Sequence, residues 1–315
     1  MKTTMKNATH IEGLLYQHSL ALKTSGENSK NPGTQFINGT IDVVTDNAMT
    51  NIVTVHFTYV TAKTAKGNAN ATFDTLQNII NGTYCSVMEH GADKAVKLRI
   101  DSAIGLNEFY SNRSGKEELV SVKRNEGGFV HVAQTLRENE NERNTFDVDM
   151  IITNVRRVEG DDERGRPEQV KVKGCIFDFR KALLPVEFTV LRPDGMDYFE
   201  NLEASPNNPC FTRVQGNQVS QTTIVRTEEP NAFGGVKVTE TPYTNRDYVI
   251  TWAAAEPYVW DDESTITANE LKTAMADREV ALAAIKQRQD EYRASQAPAT
   301  PTPAPAAAAA TGFNF

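Results

Sequence analysis

The sequence predicts a mainly β protein: two tandem small barrels, each with one short helix, followed by a C-terminal helix and a disordered tail. Three observations carry that expectation. Apolar and polar residues alternate in a succession of short segments, as they do in half-buried strands. One order, strands then a short helix then strands, is met twice, about 110 residues apart, with little residue identity between the copies. After Trp260 the alternation gives way to a strongly helical stretch and then to a Pro- and Ala-rich terminus. A chain of 315 residues has room for two domains of ordinary size and an extra segment.

Residues 1–33 read as a polar N-terminal extension. Leu14, Leu15, His18 and Leu22 fall at helical spacing there, and SGENSKNPG (25–33) reads as a loop. The first barrel is expected over 34–140. Its strands are 35–44 and 51–60, where Val53, Val55, Phe57 and Tyr59 alternate with Thr54, His56 and Thr58. A helix is expected over 72–80, because Phe73, Leu76 and Ile80 share one face and Asn81-Gly82 ends it. Strands resume at 95–101, 118–124 and 128–132. Strands, one short helix, then strands is the layout of a five-stranded barrel of the OB type.

The second barrel is expected over 141–260. A long strand at 145–158 and a charged turn at 159–167 lead into the hairpin VKVKGCIFDFRKALLPVEFTV (170–190). A short helix fits 195–202. Strands at 211–214 and 218–226 join across Gly216-Asn217, and 248–252 reads as an extra edge. In the C-terminal helix (261–295) Thr267 and Glu270 form a capping box. Leu271, Met275, Leu282 and Ile285 make a narrow apolar stripe, which suits packing on the second barrel or pairing with another copy of the chain. The stretch 296–315 has no charged side chain and ends in two aromatics, Phe313 and Phe315.

The formal net charge of −8 argues against a generally sticky polyanion binder and leaves room for a local basic groove. Cys85, Cys175 and Cys210 are too far apart for a Cys-x-x-Cys pair, so neither a disulfide framework nor a zinc site is expected. MKTTMKNATH lacks the apolar core of a signal peptide, and no run approaches the roughly 18 apolar residues of a membrane span. The expected location is the cytoplasm. No phosphate-cradling loop and no His-Glu-x-x-His helix is present, the histidines are isolated, and acidic pairs such as Asp161-Asp162 lie in charged turns. The expectation is a protein that is not an enzyme, with no cofactor and no metal.

The features that point to a ligand are cationic and aromatic together. In the first half, Lys97, Arg99, Arg113, Lys116, Lys123 and Arg124 cluster around IGLNEFYSNRSGK, which carries Phe109 and Tyr110. Two readings are open for those rings: they stack on bases, or they plug the end of the barrel. In the second half, Arg156, Lys171, Lys173 and Arg180 accompany Phe177 and Phe179. On alternation, Lys171, Lys173, Phe177 and Phe179 share one face of their strand. Ammonium groups suit phosphates and rings suit unstacked bases. The competing reading buries Phe177 and Phe179 under a loop or another domain.

The barrel pattern, AVKLRIDSAIGLNEFYS, VKGCIFDFRKALLPVEFTV and the tail together make the chain resemble OB-fold single-stranded DNA-binding proteins, particularly those of bacteriophages and mobile elements. The resemblance covers about residues 34–252 by pattern, without a diagnostic motif. It implies coating of single strands (RNA is not distinguished from DNA), in replication or recombination, in the host cytoplasm for a phage protein. It also implies a terminal tip, Phe313 and Phe315 here, that recruits replication or recombination proteins. The bacterial tip is acidic, whereas this one has no acidic side chain. The alternative is a β-rich protein-interaction or virion structural protein. A β-rich enzyme is a third reading, supported only by scattered acids.

Overall fold

The computed structural model describes residues 5–113, 115–161, 166–230, 235–260 and 266–296. Its first half contains β1 (Asn7–His18), β2 (Ala21–Thr24), β3 (Gln35–Val44), β4 (Ile52–Thr61), α1 (Ala71–Ile80), α2 (Val87–His90), β5 (Lys97–Ser111) and β6 (Glu118–Val132). β1 is antiparallel to β3 and β5, β3 to β4, and β5 to β6, while β4 and β6 pair in parallel. These pairings close a ring, β1-β3-β4-β6-β5, with α1 following the third strand.

The second half repeats the scheme with β7 (Asn144–Val158), β8 (Gln169–Phe177), β9 (Leu183–Val190), α3 (Pro193–Asn201), β10 (Cys210–Pro230) and β11 (Val236–Ala253). Its ring is β7-β8-β9-β11-β10, again with one parallel pair, β9 with β11. Both rings have the connectivity of a five-stranded OB barrel. The protein is therefore mainly β, as its alternation predicts, and each barrel carries its helix between third and fourth strands.

Each ring encloses its own core. Ile11, Ile37, Ile41, Val55, Phe57 and Leu98 fill the first, and Leu76 and Ile79 of α1 close it. Phe146 and Phe188 stack at 5.0 Å in the second, which Met196 and Phe199 of α3 close. The barrels interlock. β1 also pairs with β7, so all eleven strands form one sheet. The β5–β6 hairpin projects as an arm whose Ile104 and Leu106 pack into the second core. Asn7 fastens the junction: its Nδ2 donates to the carbonyls of Ile104 at 2.9 Å and Phe177 at 3.1 Å, and its Oδ1 accepts from the Ile104 amide.

The structure corrects several expectations. Residues 7–18 are neither an extension nor a helix but the first strand of the first barrel. Ile11, Gly13 and Leu15 follow the strand period of two, and the missing side chain at Gly13 hides it. A Cβ there would lie 1.8 Å from the Val44 carbonyl oxygen, so glycine lets β3 close over β1. The segments 118–124 and 128–132 are one strand, β6, kinked at Gly127 and Gly128, which have φ of 64° and 110°. IGLNEFYS, the stretch that carries Phe109 and Tyr110, belongs to β5. The segments 211–214 and 218–226 are one strand, facing a bulge of β11 at Thr251, and 248–252 closes the second barrel as part of β11.

The C-terminal helix α4 (Ala268–Gln296) has its capping box: Thr267 Oγ1 accepts from the Glu270 amide at 3.2 Å, and Glu270 Oε2 accepts from the Thr267 amide at 3.0 Å. Its inward stripe differs from the expected one. Met275 is exposed, and Arg278 takes the inward place beside Leu271 and Leu282. Among the described residues no helix is long and apolar enough to cross a membrane. The tail with Phe313 and Phe315 lies outside the described residues.

Candidate nucleic-acid interface

The outward side of β3–β4 on the first barrel is the candidate surface for a chain-like ligand. Thr54 and His56 point outward from β4 because Val53, Val55 and Phe57 point inward. Strict alternation would then bury Tyr59. Instead β4 accommodates an extra residue opposite the step from Gly39 to Ile37, and this bulge turns Tyr59 out. Gly39 permits the distortion: its φ is 137°, and a Cβ there would meet the Ser19 carbonyl oxygen at 2.4 Å. Tyr59 is 47% exposed and lies against Phe36 with ring centroids 4.5 Å apart. Beside the pair is a recess of about 860 Å³ between the 25–33 loop and the end of β4, with Lys63 in its wall.

Three residues back along β4, about 10 Å away at strand rise, His56 borders a cleft between the barrels. The cleft measures about 400 Å³ and takes its walls from β4 and β6 on one side and β10 and β11 on the other. Arg124 and Arg246 stand at it together with Asn125, Gln218 and Tyr248. Burial pushes the His56 pKa below its ordinary value, and the positive charges of Arg124 and Arg246 push it further, against opposing Glu126 and Asp42. The imidazole is therefore neutral near pH 7, and the charged side chains lining the cleft are Lys123, Arg124 and Arg246, with Asp247 opposing them. β4 thus carries the Tyr59 ring near one end and, at Thr54 and His56, part of the cleft wall.

The sequence model of the YorF family matches residues 6–288. The chain belongs to the YorF family. No curated protein matches it. Among solved structures it is similar to a deletion mutant of the single-stranded DNA binding protein from Thermus aquaticus, with a TM-score of 0.46 and 8% identity over 82% of this chain and 97% of that one.

In this YorF-family chain the residues singled out by sequence are dispersed over several environments. Lys97 donates to the Gln134 carbonyl at 3.2 Å. Arg99 and Arg137 pair with Glu12, whose side chain is fully buried. Arg113 and Lys116 are exposed in the β5–β6 turn. Phe109 is partly exposed on the arm. Tyr110 is docked on α4: Gln289 bonds its amide at 2.8 Å and its carbonyl at 2.6 Å, and Lys286 Nζ lies 5.5 Å from its ring.

Lys123 does not reach solvent as a free phosphate ligand. It enters the second barrel, 5.4 Å from the Phe188 ring and 5.2 Å from that of Tyr248, donates to the Glu187 carbonyl, and sits 3.8 Å from Asp247. Burial pushes its pKa down, opposed chiefly by the Asp247 charge. Lys171 is held at 2.7 Å by the same carboxylate. Arg124 pairs with Glu126, while Arg156 and Lys173 are exposed.

Phe177 is a correction of substance. It is wholly buried with Ile151, Leu183, Phe211 and Ile266. Its strand face does carry Lys171 and Lys173, but the far end of that face is covered by Trp260, Ile266 and, from α4, Leu271. Phe179, two residues on, is 80% exposed in the β8–β9 turn with the Arg180 guanidinium 5.1 Å from its ring. The structure thus adds Phe36, Tyr59, His56, Gln218 and Arg246 to the candidates. Only Gly39, a glycine inside a strand pattern, signalled the bulge that exposes Tyr59. Among the described residues no group of three or more His, Cys, Asp or Glu side chains is placed to hold a metal.

Proposed function

We propose that this protein binds single-stranded DNA without chemistry, along the band from the Phe36–Tyr59 ring pair across the outward face of β4 to the arginines of the inter-barrel cleft. The observation that carries the reading is the Phe36–Tyr59 ring pair, with Tyr59 exposed, on the same strand β4 that lines the cleft of Arg124 and Arg246. Rings in that position stack on unpaired bases, while guanidinium groups at the cleft take the phosphates between them. OB barrels offer the second and third strands as an oligonucleotide surface, and β3 and β4 occupy those places here.

Coating of exposed strands during replication or recombination is the role this binding suits. The test is a fluorescence titration of oligothymidine over a series of salt concentrations. Tight binding at low salt that weakens steeply as salt rises supports the reading, and micromolar or weaker binding at low salt overturns it. Oligouridine in parallel decides between DNA and RNA.

A further inference from the structure

Gln218 sits in the wall of the inter-barrel cleft and is only 6% exposed. Its main chain is fixed, because its carbonyl accepts from Asn51 Nδ2 at 3.1 Å and from Asn144 Nδ2 at 2.5 Å. Its amide orientation is fixed as well. Asn125 Nδ2 donates to the Thr54 carbonyl at 3.1 Å, and that carbonyl can only accept, so the Asn125 amide cannot be turned round. Asn125 Oδ1 takes the Tyr248 hydroxyl at 3.3 Å, and Asn125 Nδ2 also donates to Gln218 Oε1 at 2.7 Å. This leaves Gln218 Nε2 as a buried donor with no acceptor. An unmet buried donor is costly, and a ligand that brings an acceptor to it recovers that cost.

We propose that the cleft is a pocket for one unstacked base of the bound strand, seated by a keto oxygen that accepts from Gln218 Nε2 as the side chain, covered in the free protein, turns toward the base. This rests on the single-strand reading above and adds chemical selectivity to it. The cleft volume of about 400 Å³ admits a base. Ile52, Val122 and the Tyr248 ring give it apolar walls, and Arg124 and Arg246 stand where flanking phosphates would lie. The keto groups of thymine, uracil, cytosine and guanine are the acceptors of this class; adenine has none.

The experiment compares oligothymidine with a strand of the same length carrying difluorotoluene, which keeps the shape of thymine and lacks strong acceptors, at alternate positions. The wild-type protein is expected to prefer thymine about tenfold, and Gln218→Leu to bind both strands alike. Equal binding of both strands by the wild type, or the same preference in the variant, overturns the pocket and leaves single-strand binding standing. Failure of the wild type to bind either strand removes both. A second measurement needs no variant: 5-iodouracil strands irradiated with the wild type should cross-link to the peptide containing Tyr248, and cross-links confined to other regions overturn the assignment.

Discussion

Replacing Asp247 with asparagine should destabilise the protein more than removing the lysine beside it. The Asp247 carboxylate accepts from Lys171 Nζ at 2.7 Å and from the Thr189 hydroxyl, and lies 3.8 Å from Lys123 Nζ. Burial works to raise its pKa, but the bonds from Lys171 and Thr189 and the two ammonium charges outweigh burial and hold it below the usual carboxylate range. Asp247→Asn keeps the shape and an acceptor while leaving two ammonium groups without their counter-charge. Removing one partner of a fully buried pair costs about 3–5 kcal/mol. The exposures here are 17% for Asp247, 22% for Lys123 and 20% for Lys171. With that much solvent the cost is about 2–3 kcal/mol.

Lys123→Met, by contrast, keeps the apolar stem and leaves Asp247 paired with Lys171. It forgoes the contacts to Phe188 and Tyr248 and the bond to Glu187, a loss of about 1 kcal/mol. Urea unfolding reads both. At a slope of about 3 kcal/mol/M, Asp247→Asn lowers the midpoint by about 1 M. Adding Lys123→Met to Asp247→Asn should restore part of that loss by removing one stranded charge. A double variant no more stable than Asp247→Asn, or a Lys123→Met cost exceeding that of Asp247→Asn, would refute this account of the junction.

Three further outcomes follow from named contacts. Phe177→Ala should cost about 3–5 kcal/mol of stability by opening a cavity under the C-terminal segment, whereas Phe179→Ala should leave the melting temperature unchanged; paired thermal melts check both. Tyr59→Ala should weaken oligothymidine binding by roughly 5- to 100-fold, the range of one lost stacking contact, without lowering the melting temperature by more than a few degrees. For His56 the folded pKa lies below the ordinary value of 6.5. In that window the unfolded chain binds more protons, so its contribution to stability is complete above pH 6.5 and is lost as pH falls through the folded value. Urea midpoints between about pH 7.5 and 5.5 should fall less in His56→Gln than in the wild type.

Much of the fold was legible because β alternation survives wherever one face of a strand is buried: β3, β8 and β9 match their sequence bounds within a few residues, α1 stands where helical spacing places it, and α3 overlaps the short helix expected at 195–202. β1 escaped because Gly13 fills an inward position with no side chain, and because Glu12, a charged residue, is buried against Arg99 and Arg137. The site was less legible for a different reason. Alternation assigns residues to faces but does not say what lies on a face. Lys171, Lys173 and Phe177 do share a side of β8, yet Trp260, Ile266 and Leu271 cover one end of it and the β5–β6 arm meets the other. Tyr59 required the reverse knowledge, a bulge that breaks alternation.

The two barrels share a connectivity but not a surface, and this bears on how much single strand one molecule can occupy. In the first barrel the second and third strands present Tyr59, His56 and Thr54 outward. In the second the equivalent face carries Cys175, Phe177 and Leu183, all buried against Ile266 and packed by Trp260 and Leu271. Burial pushes the Cys175 thiol up to about 12, as a group closed off from water should be. The covering is pinned at a distance as well: Arg278 of α4 pairs with Glu108 of the first barrel's arm at 2.5 Å, with 14% and 9% of the two side chains exposed. Lys286 and Arg293 pair with Glu117 farther along the same arm. A strand cannot lie on a face that the chain's own helix holds shut from both barrels. The proposed track therefore uses one open barrel face and the cleft, and its length should fall within the roughly 4–16 nucleotides of a single OB fold. A measured site near twice the length that the first barrel and cleft can span would mean that α4 lifts from the second barrel on binding, and the Arg278–Glu108 pair would have to break for it to do so.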